Sequence, residues 1–112
     1  MLSMIDQDVT QAQFSAFPAD VSARLLSAVD SDMTNWSDQL LAAWEADDSE
    51  AISRARHALK GLCGNFGASQ LLEMAASDLS LSEHRQEFRA LREATLHAIR
   101  FVALGITIPS AQ

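Results

Sequence analysis

The fold class this sequence predicts is all-α: an antiparallel four-helix bundle with a short additional N-terminal helix. Three observations predict it. Ala, Leu, Ser and Glu are abundant, while the chain holds only two prolines and four glycines and no tyrosine, a composition that favours helix. Apolar residues recur every three or four positions along each candidate segment. The breaks between segments are short, which forces successive helices to be antiparallel neighbours.

The longest segment runs from Pro18 to about Asp47, with Val21, Leu25, Val29, Met33, Trp36, Leu40 and Trp44 on one stripe. Pro18 suits a first helical turn, and Asp20 sits near the positive N-terminal end of the dipole. The Asp47-Asp48-Ser49 cluster breaks and re-caps the chain, placing Glu50 in the first turn of a second helix that reaches about Phe66. Gly67 supplies its C-terminal stop. Ser69 can cap a third helix that offers Leu71, Leu72, Ala75 and Leu79 for burial and ends near residues 80–82. A fourth runs from about Glu83 to Leu104, burying Phe88, Leu91, Thr95, Ile99 and Val102. Ahead of the bundle, residues 8–17, with Phe14 and Phe17, form the short helix across its end. Residues 1–112 thus read as one domain, with the bundle over about 18–104 and a tail, 105–112, expected to fray.

A chain of 112 residues has room for one core and excludes a multidomain enzyme. With 8 Lys and Arg against 15 Asp and Glu, its net charge of -7 argues against nucleic-acid binding by phosphate neutralisation, so the expected partner is a protein. The single cysteine, Cys63, can form no intrachain disulfide, which suits a reducing compartment. The start, MLSMIDQDVTQ, lacks the pattern of a signal peptide, and no stretch is apolar enough for a membrane span. The expected location is the cytoplasm.

The second helix is the informative one. On a wheel of about 100° per residue, Ile52, Ala55, Leu59, Leu62, Cys63 and Phe66 fall within about 60° of one direction. His57 lies almost opposite that seam, accompanied by Ser53, Arg54, Lys60, Gly61 and Gly64. A mid-helix glycine costs about 0.8 to 1.0 kcal/mol relative to alanine. Gly61 and Gly64 sit on the solvent side beside the imidazole, where they clear space for a partner rather than for a helix crossing. Arg54, Arg56 and Lys60, three of the eight basic residues, lie within three positions of His57 and imply a local anion site. The fitting chemistry is phosphoryl transfer through the imidazole. An imidazole near its ordinary pKa of about 6.5 is a competent nucleophile at cytoplasmic pH, and its phosphorylated nitrogen is a good leaving group.

The run His57-Ala58-Leu59-Lys60-Gly61-Leu62-Cys63-Gly64-Asn65-Phe66-Gly67-Ala68-Ser69-Gln70-Leu71 resembles the signature of histidine-containing phosphotransfer (HPt) domains. The resemblance implies a four-helix bundle, phosphorylation of His57 at Nε2, and exchange with aspartates of response-regulator receiver domains. It also implies that Lys60 supports the phosphate and Gly61 keeps the site open. Two features depart from the pattern. Leu62 and Cys63 are bulkier than the small residues common after the first glycine. The position where many members carry a Gln or Glu that orients the histidine is Leu79, flanked by Asp78 and Ser80. A local shift of that helix would be needed to bring either flanking residue to the ring.

The other titratable residues carry weaker signals. His84 and His97 have no such setting, Cys63 points into the seam, and no metal-ligand or paired-carboxylate motif is present. No Walker-type loop or ATP-binding glycine box exists, so the chain is expected to be a phosphocarrier and not a kinase, with any Mg²⁺ belonging to the partner receiver and no cofactor of its own. The reading is therefore a phosphotransfer protein of a multistep relay, a monomer that works with receivers and with a hybrid sensor histidine kinase. The competing reading from another class is a phosphorylation-independent helical adaptor that docks on a receiver or kinase domain through the His57 face. A hydrolase using His57 as general base lacks any neighbouring nucleophile.

Overall fold

A computed structural model describes residues 4–105 of the chain. Among these residues the regular structure is entirely helical: α1 (Gln7–Ser15), α2 (Ala19–Glu45), α3 (Ser49–Phe66), α4 (Ser69–Ala75) and α5 (Ser82–Ala103). The expected tail lies outside the described residues, apart from Gly105.

Helices α2 and α3 form an antiparallel hairpin. Asp47 turns the chain with φ of 52°, and the Asp48 carboxylate accepts from the Ala51 N–H at 3.1 Å to cap α3, as the acidic cluster suggested. Met33, Leu40, Leu41, Leu59, Cys63, Leu71, Leu79, Phe88 and Ile99 meet in the bundle's centre with almost no exposure. The tryptophans of the α2 stripe, Trp36 and Trp44, are half-buried at its edge, and Leu41 and Ala43 take up the central positions. Pro18 is the cap residue before α2 rather than part of its first turn, and Ser69 is the first residue of α4, with Ala68 ahead of it.

The packing of α5 on α2 is fixed by three ion pairs: Glu45 with Arg85 at 3.9 Å, Asp38 with Arg92 at 2.6 Å, and Asp30 with Arg100 at 2.5 Å. Each step along α2 is matched by an equal backward step along α5, roughly two turns at a time, so the ladder holds the antiparallel register. Arg92 is the buried member, with only 7% of its side chain exposed. A guanidinium taken out of water needs its partners. Asp38 and Glu93 supply two of them, while Nε is left without one.

The third helix is shorter than expected. The spacing of Leu71, Ala75 and Leu79 suggested helix to about residue 80, but α4 ends at Ala75. The Arg56 guanidinium accounts for this: Nε donates to the Ala75 carbonyl at 3.0 Å, and Nη2 donates to those of Ala76 and Ser77 at 3.3 and 2.7 Å. Those are carbonyls that another helical turn would need. Arg85 does the same from the far side, donating to the carbonyls of Leu79 and Ser80. Leu79 still reaches the core, from non-helical chain.

Helix α1 is stitched to the corner between α3 and α4. The Asp6 N–H donates to the Gly67 carbonyl at 2.7 Å, the Thr10 hydroxyl donates to the Phe66 carbonyl at 2.6 Å, and the Phe14 ring packs on Phe66 at 5.8 Å. Phe17, grouped with Phe14 in the sequence, is exposed. Gly67 has φ of 74°, and a Cβ there would sit 2.7 Å from the Asp6 carbonyl oxygen and 3.0 Å from Thr10 Oγ1. Both the left-handed backbone and the close approach require glycine. Gly67→Ala should therefore lower stability by at least about 2 kcal/mol, read as a reduced urea midpoint by tryptophan fluorescence. An unchanged midpoint would mean that α1 is not held at this corner.

Candidate functional site

The rotation of α3 about its axis determines what the site displays. Ile52, Ala55, Leu59, Cys63 and Phe66 are buried and Leu62 is half-buried, so the seam occupies one side of the helix. His57, Ser53, Arg54, Lys60, Gly61 and Gly64 are all exposed on the other. A helical side chain leans back over the turn that precedes it. Lys60 therefore leans toward His57, and the His57 ring leans over Ser53 and Arg54.

The glycines are not demanded by the protein's own packing. A Cβ at either Gly61 or Gly64 would meet nothing within 4 Å. Each still weakens α3 relative to alanine, by about 1 kcal/mol. A longer side chain at position 61 would project toward the histidine from the following turn, so glycine leaves the imidazole open to a large approaching surface.

Charge accounting singles out the same face. Among the described residues, Arg24 pairs with Asp20, while Arg85, Arg92 and Arg100 pair across α2 and α5. Arg54 and Lys60 have no carboxylate within ion-pairing distance; of the remaining basic residues Arg56 and Arg89 share that state, and the Arg56 guanidinium is engaged by backbone carbonyls instead. Two uncommitted cations thus flank His57 in a chain whose net charge is -7. This arrangement can balance a dianion carried on the imidazole.

Arg56 is a correction. It was grouped with Arg54 and Lys60 as an anion-binding cation, but its guanidinium is committed to the end of α4 and lies 5.4 Å from the centre of the Trp44 ring. Its place on the wheel, about 100° from His57 and on the seam's margin, was the available signal. The ring-orienting position is also resolved. Leu79 is in the core, and Asp78 accepts from the Ser80 N–H at 2.8 Å. Hydrogen bonds from Ser80, then the charges of His84 and Arg56, hold the Asp78 carboxyl below its ordinary range. No side chain among the described residues hydrogen-bonds the His57 ring, so neither neighbour of Leu79 has shifted into that role. The described residues also bring together no group of three side chains suited to a metal ion, and include no helix long and apolar enough to cross a membrane.

An all-helical bundle that displays an imidazole between free cations and side-chain-free positions can carry a group to and from a docking partner. The model of the Hpt domain matches residues 22–100, from the second turn of α2 to the last of α5, and the chain belongs to that family. Hpt domains are phosphocarrier modules of two-component phosphorelays, working with receiver domains and kinases, and are not themselves kinases. No curated protein and no solved structure matches the chain.

Two outcomes follow from this geometry. Gly61→Ala should stabilise the fold by up to about 1 kcal/mol in thermal or urea unfolding while slowing phosphoryl transfer from a receiver domain. Faster or unchanged transfer would show that the open position has no bearing on approach. Burial pushes the Cys63 thiol up to about 12, so at pH 8 the folded protein should resist alkylating reagents and become reactive only on unfolding. Rapid modification of the native protein would contradict the placement of Cys63 in the core.

Proposed function

We propose that this chain is the intermediate carrier of a multistep phosphorelay, taking a phosphoryl group from the aspartyl phosphate of one receiver domain and delivering it to an aspartate of another. The observation that carries this reading is the exposed His57 flanked by two unpaired cations and two positions where even a Cβ would meet nothing. In the forward step the lone pair of Nε2 attacks phosphorus, the N–P bond forms as the acyl P–O bond breaks, and the donor aspartate leaves as a carboxylate. The second step reverses these changes on the acceptor. Lys60, with Arg54, balances charge on the equatorial oxygens, and Gly61 and Gly64 let the receiver bring its aspartate in line. Arg56 stands outside this set.

The Mg²⁺ used in transfer belongs to the receiver in this reading, and the chain needs no cofactor. It acts in the cytoplasm, as a monomer, and one of the receivers is fused to a hybrid sensor histidine kinase. The net negative charge of the chain supports a protein partner over nucleic acid.

The test is phosphotransfer from a panel of phosphorylated receiver domains to the wild-type chain and to His57→Gln. Wild type should gain an acid-labile, base-stable label, and His57→Gln, with an unchanged helical spectrum, should gain none. Label retained on the variant would overturn the assignment, and receiver binding without label on wild type would support an adaptor. Lys60→Ala should slow transfer roughly tenfold or more with stability changed by less than about 0.5 kcal/mol, because an exposed lysine contributes little to folding. A rate equal to wild type would remove Lys60 from the mechanism.

A further inference from the structure

For Nε2 to attack phosphorus its lone pair must be free, so the ring proton of the neutral imidazole must sit on Nδ1. An acceptor at Nδ1 selects that tautomer and fixes the plane of the ring. As described above, the connection between α4 and α5 provides none: Leu79 is in the core, and the Asp78 carboxylate is taken up by Ser80.

The turn preceding His57 provides one. The ring leans over positions 53 and 54. Arg54 carries donors only, which leaves the Ser53 hydroxyl, one turn back at i−4, as the side-chain oxygen in that turn. Ser53 is exposed, and its hydroxyl is uncommitted. A helical serine or threonine commonly back-bonds to the carbonyl four residues earlier. Thr95 does so here, donating to the Leu91 carbonyl at 2.7 Å, whereas no such bond links Ser53 to Ser49. The oxygen is therefore uncommitted, and the two exposed side chains, not bonded to each other in the structure, would have to rotate to meet.

We propose that Ser53 is the positioning residue for the phosphoacceptor: its Oγ accepts the Nδ1–H of His57, holding the Nε2 lone pair toward the incoming phosphorus. This rests on the carrier reading for its purpose, but the bond, which the structure does not show formed, is to be sought in the free protein and needs no partner for its test. In transfer the N–P bond forms at Nε2, the donor's bond to phosphorus breaks, and Ser53 keeps its own proton throughout.

The experiment pairs two readouts on wild type, Ser53→Ala and Ser53→Thr. Long-range proton–nitrogen correlation spectra of the free protein above the imidazole pKa report which ring nitrogen of His57 carries the proton. Phosphoramidate serves as the chemical donor, its P–N bond breaking with release of ammonia as Nε2 is phosphorylated, so no cognate receiver is needed. Ser53→Ala should shift His57 toward the Nε2-protonated tautomer and slow phosphorylation about two- to tenfold, the change matching one net hydrogen bond. Ser53→Thr, which keeps the hydroxyl, should restore both. An unchanged tautomer ratio in Ser53→Ala would overturn the proposal even if His57 is the phosphoacceptor. A shifted ratio with no relay partner found would leave the positioning role standing and bring down the relay reading alone.

Discussion

The burial of one side of α3 is the constraint on which the rest of the molecule depends. Ile52, Ala55, Leu59, Cys63 and Phe66 together bury a narrow stripe, and a helix so held has one rotational setting. Turning α3 by a single residue would carry Leu59 or Cys63 toward water and His57 toward the core. The display of the imidazole is thus a by-product of hydrophobic burial on the opposite face. That division of labour lets the outward residues be chosen for chemistry, since none of them is needed to hold the helix in place.

The polar groups divide along the same line. Four arginines are engaged in the fold: Arg92 and Arg100 pair α5 with α2, while Arg56 and Arg85 secure the carbonyls of the chain between α4 and α5. The cations flanking His57 are left unpaired. An ion pair at Lys60 or Arg54 would have to be broken each time an anion arrived, so leaving them free keeps the field available. The glycines extend the same economy to shape, because Gly61 and Gly64 occupy helical positions where alanine would fit the protein better.

The helices, the seam and the outward placement of His57 were legible because each is a local, periodic property of the sequence. The end of the second helix was read at about Phe66, where it falls, with Gly67 as its stop, since the αL cap is written in a single amino acid. What was not legible depended on contacts distant in sequence. Arg56 looked like a companion of His57 by proximity in the chain, yet its partners lie about twenty positions on, at the end of α4. The same contact explains why Leu71, Ala75 and Leu79 read as one helix when the third reaches the core from irregular chain. Burial of Arg92 was hidden because a charged residue on a helix reads as surface until its carboxylate partner on another helix is known. Gly67 was read as a stop, but its second duty, admitting the Asp6 carbonyl, needs the position of α1.

Helix α1 lies before the first residue at which similarity to the family begins, yet it completes the fold. Asp6 and Thr10 supply donors to the Gly67 and Phe66 carbonyls, and Phe14 covers the Phe66 ring. The packed unit therefore extends past the matched residues. The far end of the helix that bears His57 is fastened by a segment outside the matched residues, so the firmness of the surface around that imidazole depends on chain that the family match does not cover.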